Sequence, residues 1–238
     1  MGIECNEQKT KIMLMDRSED LEGQVVRIGQ MAIDGVKDFK YLGTVLTSNN
    51  DINEEVRERI AAGSRCLYAL KPIFNSRKLS RKTKLRVYNV VVKPVVLYGC
   101  EAWTLTQERK RKLEVFENGV LRRILGPVYD DEEGGFRRRH NWEIRDLTGQ
   151  VKLQNEVISR RLRFAGHCAR MSEDQIPKKV LNGRVQGTRP LGRPRYRWND
   201  NIKQDFKEII DNPGQWQEEA QNRRRWRGLA LAVMGHLT

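Results

Sequence analysis

Residues 106–127 read TQERKRKLEVFENGVLRRILGP, and this stretch decides the fold class. Thr106 has a side-chain oxygen suited to an open helix start, and Gly126-Pro127 is a pair that stops a helix. Between them Leu113, Phe116, Val120 and Ile124 recur at three- and four-residue intervals, which puts all four on one helical face. Such a stripe packs against other helices by default and is not read as the wall of a ligand pocket.

The same period extends upstream. Asp51 with Glu54 three residues on makes a capping pair, and Val56, Ile60, Gly63, Leu67 and Leu70 then share a face until Pro72, where the helix is expected to end. Ser80 caps a second helix with Leu85, Tyr88, Val92 and Val95 in its stripe, a kink expected at Pro94 and a stop at Gly99. Residues 1–50 differ. Lys11 to Met15 is a short apolar run, Val25–Ile28 and Met31–Ile33 flank a Gly29-Gln30 turn, and Phe39 to Leu46 reads as one strand. In that strand Phe39 and Tyr41 share one face, with Lys40 and Leu42 on the other.

Downstream, residues 127–140 read as an exposed connection whose acidic run, Asp130 to Glu133, and basic run, Arg137 to His140, either pair with each other or stay solvated. Asn141 caps a short helix from Trp142 to Leu147. A longer one runs from about Val151 to Met171, with Leu153, Ile158, Leu162, Ala165 and Ala169 inward and Arg160, Arg161, Arg163 and Arg170 largely outside the stripe. Residues 182–197 hold Gly183, Gly187, Pro190, Gly192 and Pro194, which block regular structure and predict an extended arm bearing arginines. Asn199 or Asp200 caps the next helix. A last helix from about Gln215 carries Trp216, Ala220, Arg223, Trp226 and Leu229 near one face. The expected fold class is mainly α, with short N-terminal strands and a β-hairpin followed by helices.

Charge is unevenly spread. The chain of 238 residues carries a net +14, but residues 1–80 are neutral, residues 81–158 carry +5 and residues 159–238 carry +9. Between Ser159 and Trp198 there are eleven basic residues against Glu173 and Asp174. A cationic run this dense repels itself unless a polyanion is near, and a nucleic-acid backbone is the commonest one. Arginine predominates and aromatics are interleaved, which favours that partner over a merely solvated basic surface.

The four cysteines are scattered, with no Cys-x-x-Cys pair, and only three histidines could add ligands. No metal site and no Ser-His-Asp or Cys-His arrangement is expected; reduced thiols in an intracellular protein fit better. No signal peptide is visible, and the longest apolar run, Val90 to Tyr98, is broken by Lys93 and Pro94, so no membrane partner is expected.

Several segments, in order, resemble the C-terminal part of reverse transcriptases from non-LTR (LINE-type) retrotransposons. Gly2 to Lys11 looks like the family's G-L-x-x-N-x-x-K-T-K stretch. Phe39-Lys40-Tyr41-Leu42-Gly43 looks like its F-x-Y-L-G motif, and Leu97-Tyr98-Gly99-Cys100-Glu101-Ala102-Trp103 like its L-Y-G-x-E-x-W segment. Arg161 to His167, Gly192-Arg193-Pro194-Arg195 with Trp198, and Trp216, Ala220, Arg223, Trp226 and Arg227 match tail motifs, with Asn222 where the family has Asp.

The resemblance implies a palm remnant over 1–50 with a primer-grip-like hairpin at the F-x-Y-L-G motif, a helical thumb over 51–126, the connection at 127–140 and a basic helical tail over 141–238. It implies that Phe39, Tyr41, Leu42 and Gly43 support a primer end. It makes Arg160, Arg161, Arg163, Arg170, Arg193, Arg195, Arg197, Arg223 and Arg227 the candidate contacts to RNA or DNA, as template–primer or element RNA. Trp198, Trp216 and Trp226 either stack on bases or anchor helices. The rest of the polymerase, its palm and fingers, is a further expected partner.

Polymerase chemistry needs paired carboxylates that hold Mg2+. The family's pair sits on a Tyr/Phe-x-Asp-Asp hairpin, and this chain has no such motif. Tyr129-Asp130-Asp131 lacks the intervening residue and is read as a decoy. No catalytic residue and no cofactor are therefore expected in this chain, with Mg2+ belonging to a full-length polymerase. The alternative reading is a co-opted helical module whose basic face meets an acidic protein.

Overall fold

In the computed structural model, residues 6, 8–15, 21–132, 134–183, 197–207, 209 and 213–236 are described. They form a mainly α-helical protein with short strands near the N-terminus, as the apolar periods predict. Two compact units are present, residues 1–65 and residues 66–238.

In the first unit, β2 (Val25–Ile28) and β3 (Met31–Gly35) pair antiparallel with Ile28 opposite Met31, so Gly29-Gln30 is a two-residue turn. β1 (Lys11–Ile12) joins β3 in parallel. The single strand read from the alternation of Phe39 to Leu46 is instead two, β4 (Asp38–Tyr41) and β5 (Thr44–Thr47), folded back on each other as a hairpin, the form that the F-x-Y-L-G resemblance implies. The break falls at Leu42-Gly43, where φ is 48° and 84°. Two successive positive φ angles give the mirror-image turn whose twist matches that of the flanking strands. Gly43 adopts it freely, whereas Leu42 does so against its Cβ. α1 (Ile52–Ala69) starts after Asp51, whose carboxylate accepts from the Asn53 amide at 3.0 Å.

In the second unit, α2 (Lys71–Asn75) carries Pro72 in its first turn, where a missing N–H costs nothing. Pro72 therefore opens a helix as well as following the end of one. Ser80 caps α3 (Arg81–Val87), accepting from Thr83 N at 3.1 Å. The kink expected at Pro94 takes the form of a wider π turn, Tyr88–Val92, just ahead of α4 (Lys93–Val96). Proline cannot donate to the carbonyl four residues back, and the looser turn accommodates that. Gly99, at φ 69°, leads into a short 3-10 turn, Cys100–Ala102.

α5 (Gln107–Leu125) runs from the Thr106 cap to Gly126, as its sequence predicts. Residues 128–137, expected as an irregular connection, form a hairpin of β6 (Val128–Asp130) and β7 (Gly135–Arg137). In α6 (Asn141–Thr148), Asn141 is the first helical residue and not the cap. Glu143 instead accepts from the His140 amide at 2.6 Å. The chain continues through α7 (Leu153–Ala169), α8 (Ile176–Asn182), α9 (Trp198–Phe206), α10 (Trp216–Glu219) and α11 (Arg223–His236).

One apolar core joins Phe74, Tyr88, Val92, Val120, Leu121, Ile124 and Ile144, the stripes of α2 to α6. A second packing centre lies where α11 crosses α7. Phe206, Trp216 and Trp226 meet there, with ring centroids 4.7 and 5.8 Å from Trp226. Buried charges are paired. Glu117, fully buried, accepts from Arg145 at 2.7 Å and from the Leu153 amide at 3.1 Å, which ties α5 to α6 and to the start of α7.

Candidate nucleic-acid interface

The β4–β5 hairpin presents Tyr41 and Leu42 to solvent, 57% and 75% exposed, while Phe39 and Gly43 are half-buried. Its turn is held from below by α1. Glu55 is buried and accepts from the Val45 amide at 2.7 Å; it also pairs with Arg59 at 2.7 Å, and the Arg59 guanidinium donates to Gly43 O. A buried ion pair braced by backbone bonds keeps both charges satisfied and leaves the turn little freedom. The four residues named from the F-x-Y-L-G resemblance thus occupy one rigid, projecting hairpin.

In the second unit, the residues of the tail motifs divide into those that build the packing and those that face out. Arg161 builds the packing, a correction to its expected place among the nucleic-acid contacts. Its side chain is fully buried, with Nε 2.9 Å from Asp205 Oδ2 and Nη1 2.8 Å from Trp103 O. A charge removed from water in this way is spent on its partners, so it cannot reach a phosphate. Trp103 belongs to the L-Y-G-x-E-x-W segment, and further bonds draw that segment to the tail. Trp198 Nε1 donates to Glu101 O at 2.9 Å, and Asn201 Oδ1 accepts from the Leu105 amide at 2.6 Å.

Trp226 donates to Leu162 O at 2.7 Å and lies against Gly166, where a Cβ would run into the indole. Trp216 and Trp226 are buried, and Trp198 is half-buried. These rings anchor helices, and the two buried ones have no face open for stacking on bases.

The outward set follows helical spacing. Arg160, Arg163, His167 and Arg170 recur at steps of three and four along α7. Arg163 and His167 are exposed. Arg160 is shared with Glu156 at 3.1 Å, and Arg170 is half-buried with Nη1 2.6 Å from Ala220 O. Ten residues of helix span ~15 Å, enough to follow several phosphates of one strand. On α11, which packs on α7, Arg223, Arg224 and Arg227 are exposed, while Arg225 is taken by Glu219 at 3.0 Å. Among the described residues, Arg163, Arg223, Arg224 and Arg227 form no ion pair. Arg197 is exposed at the start of α9, its amide donating to Asp200 at 3.1 Å. Arg193 and Arg195, and with them most of the expected extended arm, lie outside the described residues.

Asp130 is no free carboxylate. It pairs with Arg137, which also forks onto Glu143 at 2.9 and 3.0 Å and so pins the β6–β7 hairpin to α6. Among the described residues, no group of three or more His, Cys, Asp or Glu is placed to hold a metal ion, and no helix is long and apolar enough to cross a membrane. On its outer face the hairpin shows Tyr129 and Phe136 edge-to-face at 5.3 Å, 54% and 76% exposed. This pair was missed in sequence because the alternation of two three-residue strands is too brief to register as a period.

Residues 67–98, from the end of α1 through the π turn and α4, match the model of a domain of unknown function, DUF6451. The chain is also 26% identical over 234 residues to a Caenorhabditis elegans protein described as uncharacterized and transposon-derived. That alignment covers 95% of this chain and 82% of the relative. No solved structure matches.

Proposed function

We propose that the chain is a transposable-element protein, the C-terminal piece of a non-LTR reverse transcriptase, that binds RNA or DNA without transferring nucleotides. The observation that carries the reading is the exposed set Arg163, Arg223, Arg224 and Arg227, on two helices packed together and without an ion pair among the described residues. Guanidinium groups left without carboxylate partners on adjoining helices offer a polyanion a ready surface. The transposon-derived relative, aligned along nearly the whole chain, and the ordered polymerase-like motifs support the same origin. The absence of a Tyr/Phe-x-Asp-Asp motif from this sequence supports binding without polymerisation.

The test is equilibrium binding of the full chain to a fluorescent RNA across a salt series. Affinity should fall steeply with salt, because each phosphate neutralised releases condensed counterions. A flat salt dependence would overturn the reading, as would equal binding to an acidic protein with no preference among nucleic-acid structures. Primer extension by the pure chain with Mg2+ and nucleotides would overturn its second half.

A further inference from the structure

We propose that Phe164, in edge-to-face contact with Trp198, is a stacking platform for one unpaired base of a single-stranded nucleic acid. Three residues of α7 are exposed: Arg163, Phe164 and His167. The helical period sets Arg163, His167, Arg160 and Phe164 within an arc of about 100°, with the phenyl ring at its edge. A phenyl ring gains by leaving water, yet this one stays 39% exposed beside basic neighbours.

Trp198 braces the ring. The two centroids are 6.1 Å apart and the ring planes are inclined by 76°. Trp198 is itself half-buried and tethered, its Nε1 donating to Glu101 O at 2.9 Å. An edge-to-face contact occupies at most one face of each ring, so Phe164 keeps surface for a second flat partner. A ring held in place beforehand loses little freedom when a base lies on it.

Charge selects the occupant. Arg163 and Arg197, the sequence neighbours of the two rings, are exposed and form no ion pair among the described residues. Glu156, on the same helix, is already shared by Lys93 at 2.7 Å and Arg160 at 3.1 Å. Glu101, half-buried at the tether, leaves the balance positive. A ring on a cationic surface matches the two parts of a nucleotide, its base and its phosphate. Another exposed pair, Tyr129 and Phe136, lacks that match, because Asp131 and Glu132 are exposed in the turn between their strands. Bases inside a duplex are already stacked on both faces, so the occupant is single-stranded. The platform rests on the nucleic-acid reading and adds to it a part of the affinity that salt does not weaken.

The test is titration of the full chain, across a salt series, with two fluorescent single-stranded DNA oligonucleotides of equal length. One carries thymine throughout, and the other has abasic spacers in place of every nucleoside, so the phosphates are the same. Wild type should bind the thymine strand about tenfold more tightly, as expected for one base stacked on an aromatic ring. That preference should persist at every salt concentration, since both strands release the same counterions. Phe164→Leu should bind the two strands equally, with the abasic affinity and the salt slope of wild type. Phe164→Tyr and Phe136→Leu should both keep the preference.

Equal binding of the two strands by wild type overturns the platform without recourse to any variant. So does a preference that survives in Phe164→Leu, or one that Phe136→Leu loses equally. A Phe164→Leu chain that also binds the abasic strand more weakly overturns it too, because the ring would then be holding the helix face and not a base. In each of these cases steep salt dependence with either strand spares the nucleic-acid reading. Failure to bind either strand, or RNA, at any salt concentration overturns both.

Discussion

The indole of Trp226 occupies the space that a Cβ on Gly166 would need, and its Nε1 donates to Leu162 O, one turn earlier on the same helix. Two tail motifs some sixty residues apart are therefore halves of one contact. The glycine lets α11 approach α7, and the tryptophan fills the approach and satisfies its own N–H.

Replacing Gly166 by alanine should accordingly destabilise the chain by about 1–3 kcal/mol, the range for overpacking a filled core. Gly119, on α5 with open space around it, is the contrast. There alanine should stabilise by about 1 kcal/mol through helix propensity. Urea unfolding of the two variants checks both signs. A neutral Gly166→Ala would mean the two helices do not pack this closely.

The buried pair of Arg161 and Asp205 joins α7 to α9. Arg161→Met should cost about 3–5 kcal/mol, because it strands a buried carboxylate. Arg161→Met combined with Asp205→Leu should recover much of that loss. A double-mutant cycle by chemical denaturation measures the coupling, and a loss below 1 kcal/mol in the single variant would show that the pair is open to water.

Glu143 gives the chain an acid-sensitive joint. Hydrogen bonds from the Arg137 guanidinium, and then from the His140 amide, pull its carboxyl down to about 2 from the ordinary 4.5. The folded state thus releases this proton more readily than the unfolded state. The stabilisation is complete above about pH 4.5 and is lost as pH falls through about 2. Comparing wild type with Glu143→Gln over that window should show a shallower acid limb in the variant. Identical limbs would remove Glu143 from the account.

Burial pushes the Cys100 thiol up to about 12 and raises that of Cys168 as well, so little thiolate forms at neutral pH. Cys66 is only half-buried. Among the three cysteines of the described residues, a thiol reagent should label Cys66 first and reach Cys100 and Cys168 only on unfolding. Peptide mapping after timed labelling distinguishes the three, and early modification of Cys100 would count against the packing around Trp103.

Much of the helical architecture was legible in sequence, for a local reason. The Ser80 and Thr106 caps, the α5 stripe and the Gly126 stop are set by residues within a few positions of one another. The same locality explains the Gly29-Gln30 turn. The misreadings share the opposite cause. Leu42 takes a backbone conformation that its residue type rarely adopts, held in place by Arg59 and Glu55 of α1. The β6–β7 hairpin depends on Arg137 reaching Asp130 across the turn and Glu143 beyond it.

The amino-acid order alone determined several helix starts and stops, which faces of those helices are apolar, and that positive charge gathers in the last eighty residues. Tertiary structure alone decided which of those charges remain available. Arg161 and Arg163 stand two residues apart on α7, yet one is fully buried against Asp205 and the other is exposed. The helical period turns them to sides about 200° apart, but the partner that buries Arg161 comes from forty-four residues further along. Helical period sets the direction in which a side chain points, but only the packing of distant segments determines whether a carboxylate or water meets it there.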